Sequence, residues 1–219
     1  RFFDYEHFSY PLHFHSEYEI IYIKEGTGTR FLGNSITKFQ AGDILLIGSN
    51  LPHFMKSDEA YHSGNTDLRV KGTIIQFEKE FMYSAINHYS HFVKIKNLFQ
   101  ESQRGIYFTA SSFPKLQDLM ERIPLENGLN QLMLFLEILK EMSETENRQT
   151  ISTTDFVNET IYDTARIDKI MSFLNKNYTR NVSLDEIASF AAMNSSAFCR
   201  YFKKVTNKTF VELVTEFRI

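Results

Sequence analysis

The chain has little of what would tie it together covalently or anchor it in a bilayer. Its single cysteine, Cys199, excludes any disulfide within the chain and fits a reducing cytoplasm. No apolar run approaches the ~18 residues of a membrane-spanning helix, and residues 1–20 lack the basic, apolar and cleavable order of a secretion signal. No glycine loop of the phosphate-cradling kind, no Ser/His/Asp set and no paired-acid site is evident. Neither sign of charge dominates, with 24 Lys and Arg against 27 Asp and Glu for a net of −3. What is present is enough apolar material, 42% of 219 residues, for two small cores.

The whole-chain charge hides an asymmetry. Residues 164–219 carry nine Lys or Arg against five Asp or Glu, whereas residues 1–163 carry fifteen against 22. A mildly acidic chain with a basic final quarter is the pattern expected when one part alone meets phosphates.

That quarter also contains the clearest local pattern. In VSLDEIASFAAMNSSAFCRYFKKVTN, starting at Val182, the apolar Leu184, Ile187, Ala188 and Ala191 recur at helical spacing, and Ser183 with Glu186 forms an S-x-x-E capping box. A second helix begins at Asn194, a good N-cap. It carries Phe198, Tyr201, Phe202 and Val205 on one face and Ser195, Ser196, Cys199, Arg200 and Lys203 on the other. Two short helices about a tight polar turn make a helix-turn-helix, whose second helix usually enters the DNA major groove; an ordinary helix pair with a solvated face is the plainer alternative.

The N-terminal region has a different rhythm. Between His13 and Phe77, short apolar alternating runs are broken by turn signals at residues 25–28, Gly33-Asn34, residues 41–43, residues 48–50 and Asn65, which predicts an antiparallel sandwich or barrel. Helical periodicity follows over 78–100 and, after an extended Gly105-Ile106-Tyr107-Phe108, over 113–143. Residues 144–165, ETENRQTISTTDFVNETIYDTA, are polar without sustained period and read as a linker.

His13, His15 and Glu19 fall at odd positions of one predicted strand, so a period of two points all three to one face, while His53 follows Pro52 after GDILLIGSNLP. Tyr18 and Tyr22, of even parity, are expected to pack on the outside, and Phe14 is expected in the core or at the rim. In residues 128–143, Leu129, Leu132, Met133, Leu136, Leu139 and Met142 form a stripe that Leu134, Phe135 and Ile138 widen beyond one packing surface. A helix of that kind is buried on two sides, by the barrel and by a symmetry-related partner helix, or wholly within one chain.

Residues 166–219 resemble the DNA-binding region of the AraC/XylS transcriptional regulators. The likeness is carried by RIDKIMSFLNKNY, by the helix-turn-helix segment and by VELVTEFRI, including Ala188, Phe198, Arg200, Phe202, Lys203, Phe210, Arg218 and Ile219. Asn194 and Asn207 stand where that family more often has Ser and Gly. The resemblance implies that Ser196, Cys199 and Arg200 reach base edges while Ser195, Lys203 and Lys204 lie at or near phosphates. It also implies a second helix-turn-helix after a connecting helix, whereas this chain stops at Arg218-Ile219 and starts at Arg1 without Met. A fragment of a longer protein is therefore the expectation.

The spacing H-x-H-x3-E-x6-G from His13 to Gly26, followed by G-D…P-H from Gly42 to His53, resembles the two cupin motifs. In metal-dependent cupins the four corresponding side chains bind one ion, so the resemblance implies a possible divalent transition-metal site at His13, His15, Glu19 and His53; Zn, Fe, Mn or Ni would suit. Contact of these residues with an organic effector without metal, and a purely structural role, stand beside it.

The expected fold class is α+β. Residues 1–112 would form a cupin-like antiparallel β-barrel with a following helix, 113–143 a helical dimerisation element, 144–165 the linker, and 166–219 an all-α helix-turn-helix domain, first half only. The expected function is effector-responsive, sequence-specific DNA binding by a homodimer with no membrane attachment, the effector being a sugar or sugar derivative by resemblance. A metal-dependent cupin dioxygenase or isomerase with a helical appendage is the competing reading; the length of the C-terminal resemblance and its local positive charge oppose it.

Overall fold

The computed structural model describes residues 1–8, 10, 12–63, 67–110, 112–146, 148–152, 166–167, 169–170, 173–174, 177, 180–206 and 209–218. The turn at Asn65, the linker segment 153–165, Asn207, Ile219 and the side chains of Lys204, Val205 and Arg218 lie outside that description.

Two antiparallel sheets form the N-terminal unit. The larger has the order β1 (Phe2–Tyr5), β7 (Val70–Phe77), β2 (Tyr18–Glu25), β5 (Ile44–Ile47), β8 (Ile106–Phe108), β9 (Gln149–Thr150). The smaller runs β4 (Ser35–Phe39), β3 (Gly28–Leu32), β6 (His53–Ser57). The β3–β4 connection is the two-residue Gly33-Asn34 loop, with Gly33 at φ +60°, where a side chain would be strained.

Strand β2 shows why its Ile20–Ile23 run is continuously apolar. Ile20 and Tyr22 join Ile44, Leu46, Ile106 and Phe108 on the face covered by helices, while Ile21 and Ile23 join Leu45, Ile47, Leu32 and Leu51 between the sheets. A strand buried on both faces cannot afford polar alternation. The helical cover comprises α1 (Tyr83–His88), α2 (Val93–Glu101), α3 (Pro114–Arg122) and α4 (Gly128–Glu144). Tyr18 stacks on Phe99 of α2 at 4.7 Å between ring centroids, and the Tyr22 hydroxyl donates to Glu121 of α3 at 3.0 Å, so both tyrosines face the helices as their parity predicts.

Within the segment read as a linker, Gln149–Thr150 is a sheet strand paired with β8. Its two residues are too few to leave a period in the sequence. The predicted helix over 113–143 is two helices broken at Ile123–Leu125, where Pro124 removes a backbone donor.

In the C-terminal unit, helices span Leu184–Phe190, Ser195–Thr206 and Phe210–Arg218. Phe198 and Phe202 are fully buried, stacked at 5.3 Å, and Phe210 meets both edge-on. Ile167, Ile170 and Leu174 are buried in the same cluster.

Candidate functional site

The helix-turn-helix is built by its caps. The Ser183 hydroxyl accepts from the Glu186 amide at 3.2 Å, and Asn194 Oδ1 accepts from the Ala197 amide at 2.8 Å, which fixes both helix starts. Arg180 forks onto the Glu186 carboxylate, a bond that holds this carboxyl below its usual range. The turn between the helices places Ala192 at φ +56°, a left-handed conformation that disfavours any Cβ. Ala192→Gly is therefore expected to stabilise the domain by up to about 1 kcal/mol, the relief of Cβ strain being partly offset by glycine's greater unfolded-state entropy. Urea unfolding measures it, and a loss of stability would show that the turn is not held this way.

With Phe198 and Phe202 inward, Ser196, Cys199, Arg200 and Lys203 are exposed on the opposite face. Ser195 is half-buried and its hydroxyl donates to Asp185 of the preceding helix, so it joins the two helices.

The second group lies at the mouth of the barrel. Residues 13–19 do not form one strand: His13 pairs with His53 in a single bridge, the chain bends at residues 16–17, and β2 starts at Tyr18. The histidines converge nonetheless. The ring centroids of His13 and His15 lie 4.2 and 5.1 Å from that of His53, and one nitrogen from each ring falls within 4.8 Å of the others.

His53 is buried, and its Nδ1–H donates to the Leu51 carbonyl at 2.7 Å, which leaves Nε2 as the lone-pair nitrogen. That atom is buried with no hydrogen-bond partner among the described residues. Burial, reinforced by the nearby His13 and His15, pushes the ring's pKa down to about 3 against the opposing pull of Glu19, so it is a neutral electron-pair donor at physiological pH.

Glu19 is buried at the end of β2 and accepts from His15 Nε2 at 2.9 Å and from Gln76 Nε2 at 2.6 Å. Burial favours its neutral form, yet the hydrogen bond from His15 and the surrounding imidazoles prevail and hold the carboxyl at about 2. His15 is correspondingly raised: burial opposes its charge, and Glu19 and Glu17 outweigh it. Glu19 hydrogen-bonds His15 and is not among the three ring nitrogens that lie within 4.8 Å of one another.

These side chains line a cavity of about 810 Å³ that Phe14, Phe54 and Gln76 also border. Gln76 was not indicated by any motif; it stands opposite Glu19 in the β2–β7 register, which is visible once the strands are paired.

A cavity bordered by three histidines in one unit and a capped helix-turn-helix in the other are the parts of a DNA-binding regulator with an attached ligand-binding domain. The comparisons with known proteins agree. A family profile described as AraC-like ligand binding domain matches residues 1–92, and one described as bacterial regulatory helix-turn-helix proteins, AraC family, matches residues 174–215. The chain belongs to the AraC family of transcriptional regulators; the matched families and relatives are regulators, not enzymes.

Among its relatives, the HTH-type transcriptional regulator YdeC of Bacillus subtilis is 23% identical over 95% of this chain and 70% of its own length. The HTH-type transcriptional activator RhaR of Mannheimia succiniciproducens is 20% identical over 96% and 71%. Of solved structures, apo ToxT from Vibrio cholerae is similar at 15% identity over 98% of this chain and 93% of that one, with a TM-score of 0.42.

Proposed function

We propose that this protein is an effector-responsive regulator that binds operator DNA through its second helix-turn-helix helix and a small polar molecule in the 810 Å³ cavity. A sugar or sugar derivative is the first class to test, since the wall mixes aromatic rings with hydrogen-bonding groups. The observation that carries the DNA reading is the exposure of Ser196, Cys199, Arg200 and Lys203 on one face of a capped helix whose other face is sealed by Phe198 and Phe202.

Arg200 offers two parallel donors to a guanine edge, whereas Lys203 is a point charge for a phosphate. On an operator selected from random duplexes, Arg200→Ala is expected to cost about 1–3 kcal/mol and relax base preference. Lys203→Ala should weaken all sequences alike and reduce the salt slope by about one. Binding isotherms at several salt concentrations measure both; two unchanged affinities would mean that this helix does not enter the groove. In this reading Lys204 also lies at the phosphates, and Ser195 reaches them by exchanging Asp185 for DNA.

In the barrel, His13, His15 and His53 would hold one divalent transition metal with Glu19 orienting His15. The buried lone-pair nitrogen of His53, unpartnered among the described residues, supports this assignment. Bound metal would supply a Lewis-acid anchor for effector oxygens.

The protein acts as a homodimer through α4 and works in the cytoplasm. Supporting the dimer, Leu134, Phe135, Ile138, Leu139 and Met142 are buried against the chain's own helices and sheet, whereas Leu129, Leu132 and Met133 are 69, 39 and 62% exposed. Among the described residues no helix is long and apolar enough to cross a membrane. Leu132→Asp with Leu136→Asp is expected to give monomers that keep the barrel fold; light scattering distinguishes this from a wild-type chain already monomeric at tens of micromolar, which would remove the dimer assignment.

A further inference from the structure

Two acids open the first helix of the helix-turn-helix, Leu184–Phe190, and the fold treats them differently. Glu186 is gripped by both arms of the Arg180 guanidinium. Asp185, exposed one position earlier, has no cation at ion-pair distance among the described residues. Its side chain is engaged instead by a neutral group, the Ser195 hydroxyl at the start of the recognition helix. One uncompensated negative charge therefore stands beside the exposed face that carries Ser196, Cys199, Arg200 and Lys203.

That position faces the DNA backbone. When the second helix of such a motif lies in the major groove with its N-terminal residues at the bases, the first helix crosses the phosphates. Asp185 is in the first turn of that first helix and touches the first residue of the second, so it sits at the seam where the backbone passes. Helix stability alone does not call for the charge. Glu186 supplies an acid to the same turn, and an asparagine would accept the Ser195 bond equally well.

We infer that Asp185 is a built-in brake on DNA binding: its carboxylate holds the Ser195 hydroxyl in the free chain and opposes phosphate in the bound one. Non-specific binding is supplied almost wholly by phosphate contacts, so an opposing charge on that surface shortens the stay on unrelated sequence, while on an operator the base contacts remain. The inference rests on the second helix entering the major groove. It is independent of the cavity and of the dimer.

Binding isotherms of the whole chain on random-sequence and operator-selected duplexes, each at several salt concentrations, test it. Asp185→Asn keeps an acceptor for Ser195 and removes the charge. It is expected to tighten binding to both duplexes by about 3–10-fold and to steepen the dependence of log K on log salt by up to about one. A merely structural role for Asp185 would instead weaken binding and leave the slope unaltered, and that result overturns the inference, as does unchanged affinity on random sequence. Ser195→Ala breaks the bond and leaves the charge, so it should not tighten binding; tightening equal to that of Asp185→Asn would assign the effect to the bond and overturn the brake. Should Asp185→Asn lower the melting temperature of the helix-turn-helix, Asp185→Ser is read by the same criteria. Arg200→Ala and Lys203→Ala on the same duplexes separate the two readings. If they weaken binding while Asp185→Asn fails to tighten it, the brake alone falls; if they too are without effect, the helix does not enter the groove and both fall.

Discussion

Phe202→Ala is expected to cost the DNA-binding unit about 3–5 kcal/mol, enough to unfold a small domain at growth temperature. The ring is fully buried, stacked on Phe198 of its own helix and met edge-on by Phe210 of the next, so its removal leaves a cavity between the two helices. A unit of this size has little stability to lose. Urea unfolding should show the helix-turn-helix transition displaced to low denaturant while the transition of the barrel stays near its wild-type position. A loss below 1 kcal/mol would mean that the helices pack around some other centre.

His53→Ala is expected to abolish stoichiometric metal binding, because it removes one of three converging nitrogens, one that the ring's bond to Leu51 already leaves as a lone pair. Glu19→Gln should behave differently. The carboxylate orients His15 without joining the three donors, so binding should persist with affinity reduced about 10–100-fold. Titration with Co²⁺, followed by its visible absorption, separates the two. Equal and complete loss in both variants would make Glu19 a ligand, and no uptake by the wild type would leave the cavity to the effector alone.

The helix-turn-helix was legible almost residue by residue because its determinants are local: Ser183 and Asn194 cap the helices they precede, and Phe198 and Phe202 recur at helical spacing. The barrel site was legible as a set of residues and less so as geometry. Period two placed His13, His15 and Glu19 on one strand, whereas a bridge and a bend bring them together, and Glu19 is oriented by Gln76, 57 residues away. Pairings over such distances depend on sheet register, which one strand does not encode. Strand β9 escaped notice for a similar reason, its two polar residues being strand because β8 lies beside them. Contact of Leu12 and Phe14 with the DNA-binding cluster is also tertiary; in the sequence they are simply two apolar residues flanking His13.

Strand β9 also decides where the tether between the two units begins. Beyond it, the Ile151 amide donates to the Gly105 carbonyl at 3.0 Å, the Ser152 amide to Arg104 at 2.8 Å, and the Ser152 hydroxyl to Asn34 at 2.8 Å. The chain is thus moored to the barrel up to residue 152, and covalent geometry allows the stretch to residue 166 no more than about 50 Å of reach. A partner confined to so small a volume meets its docking surface at an effective concentration in the millimolar range. A contact with a millimolar dissociation constant would then be closed about half the time within the chain. For a contact of that strength, a change of about 1.4 kcal/mol at the surface would shift the ratio of closed to open tenfold.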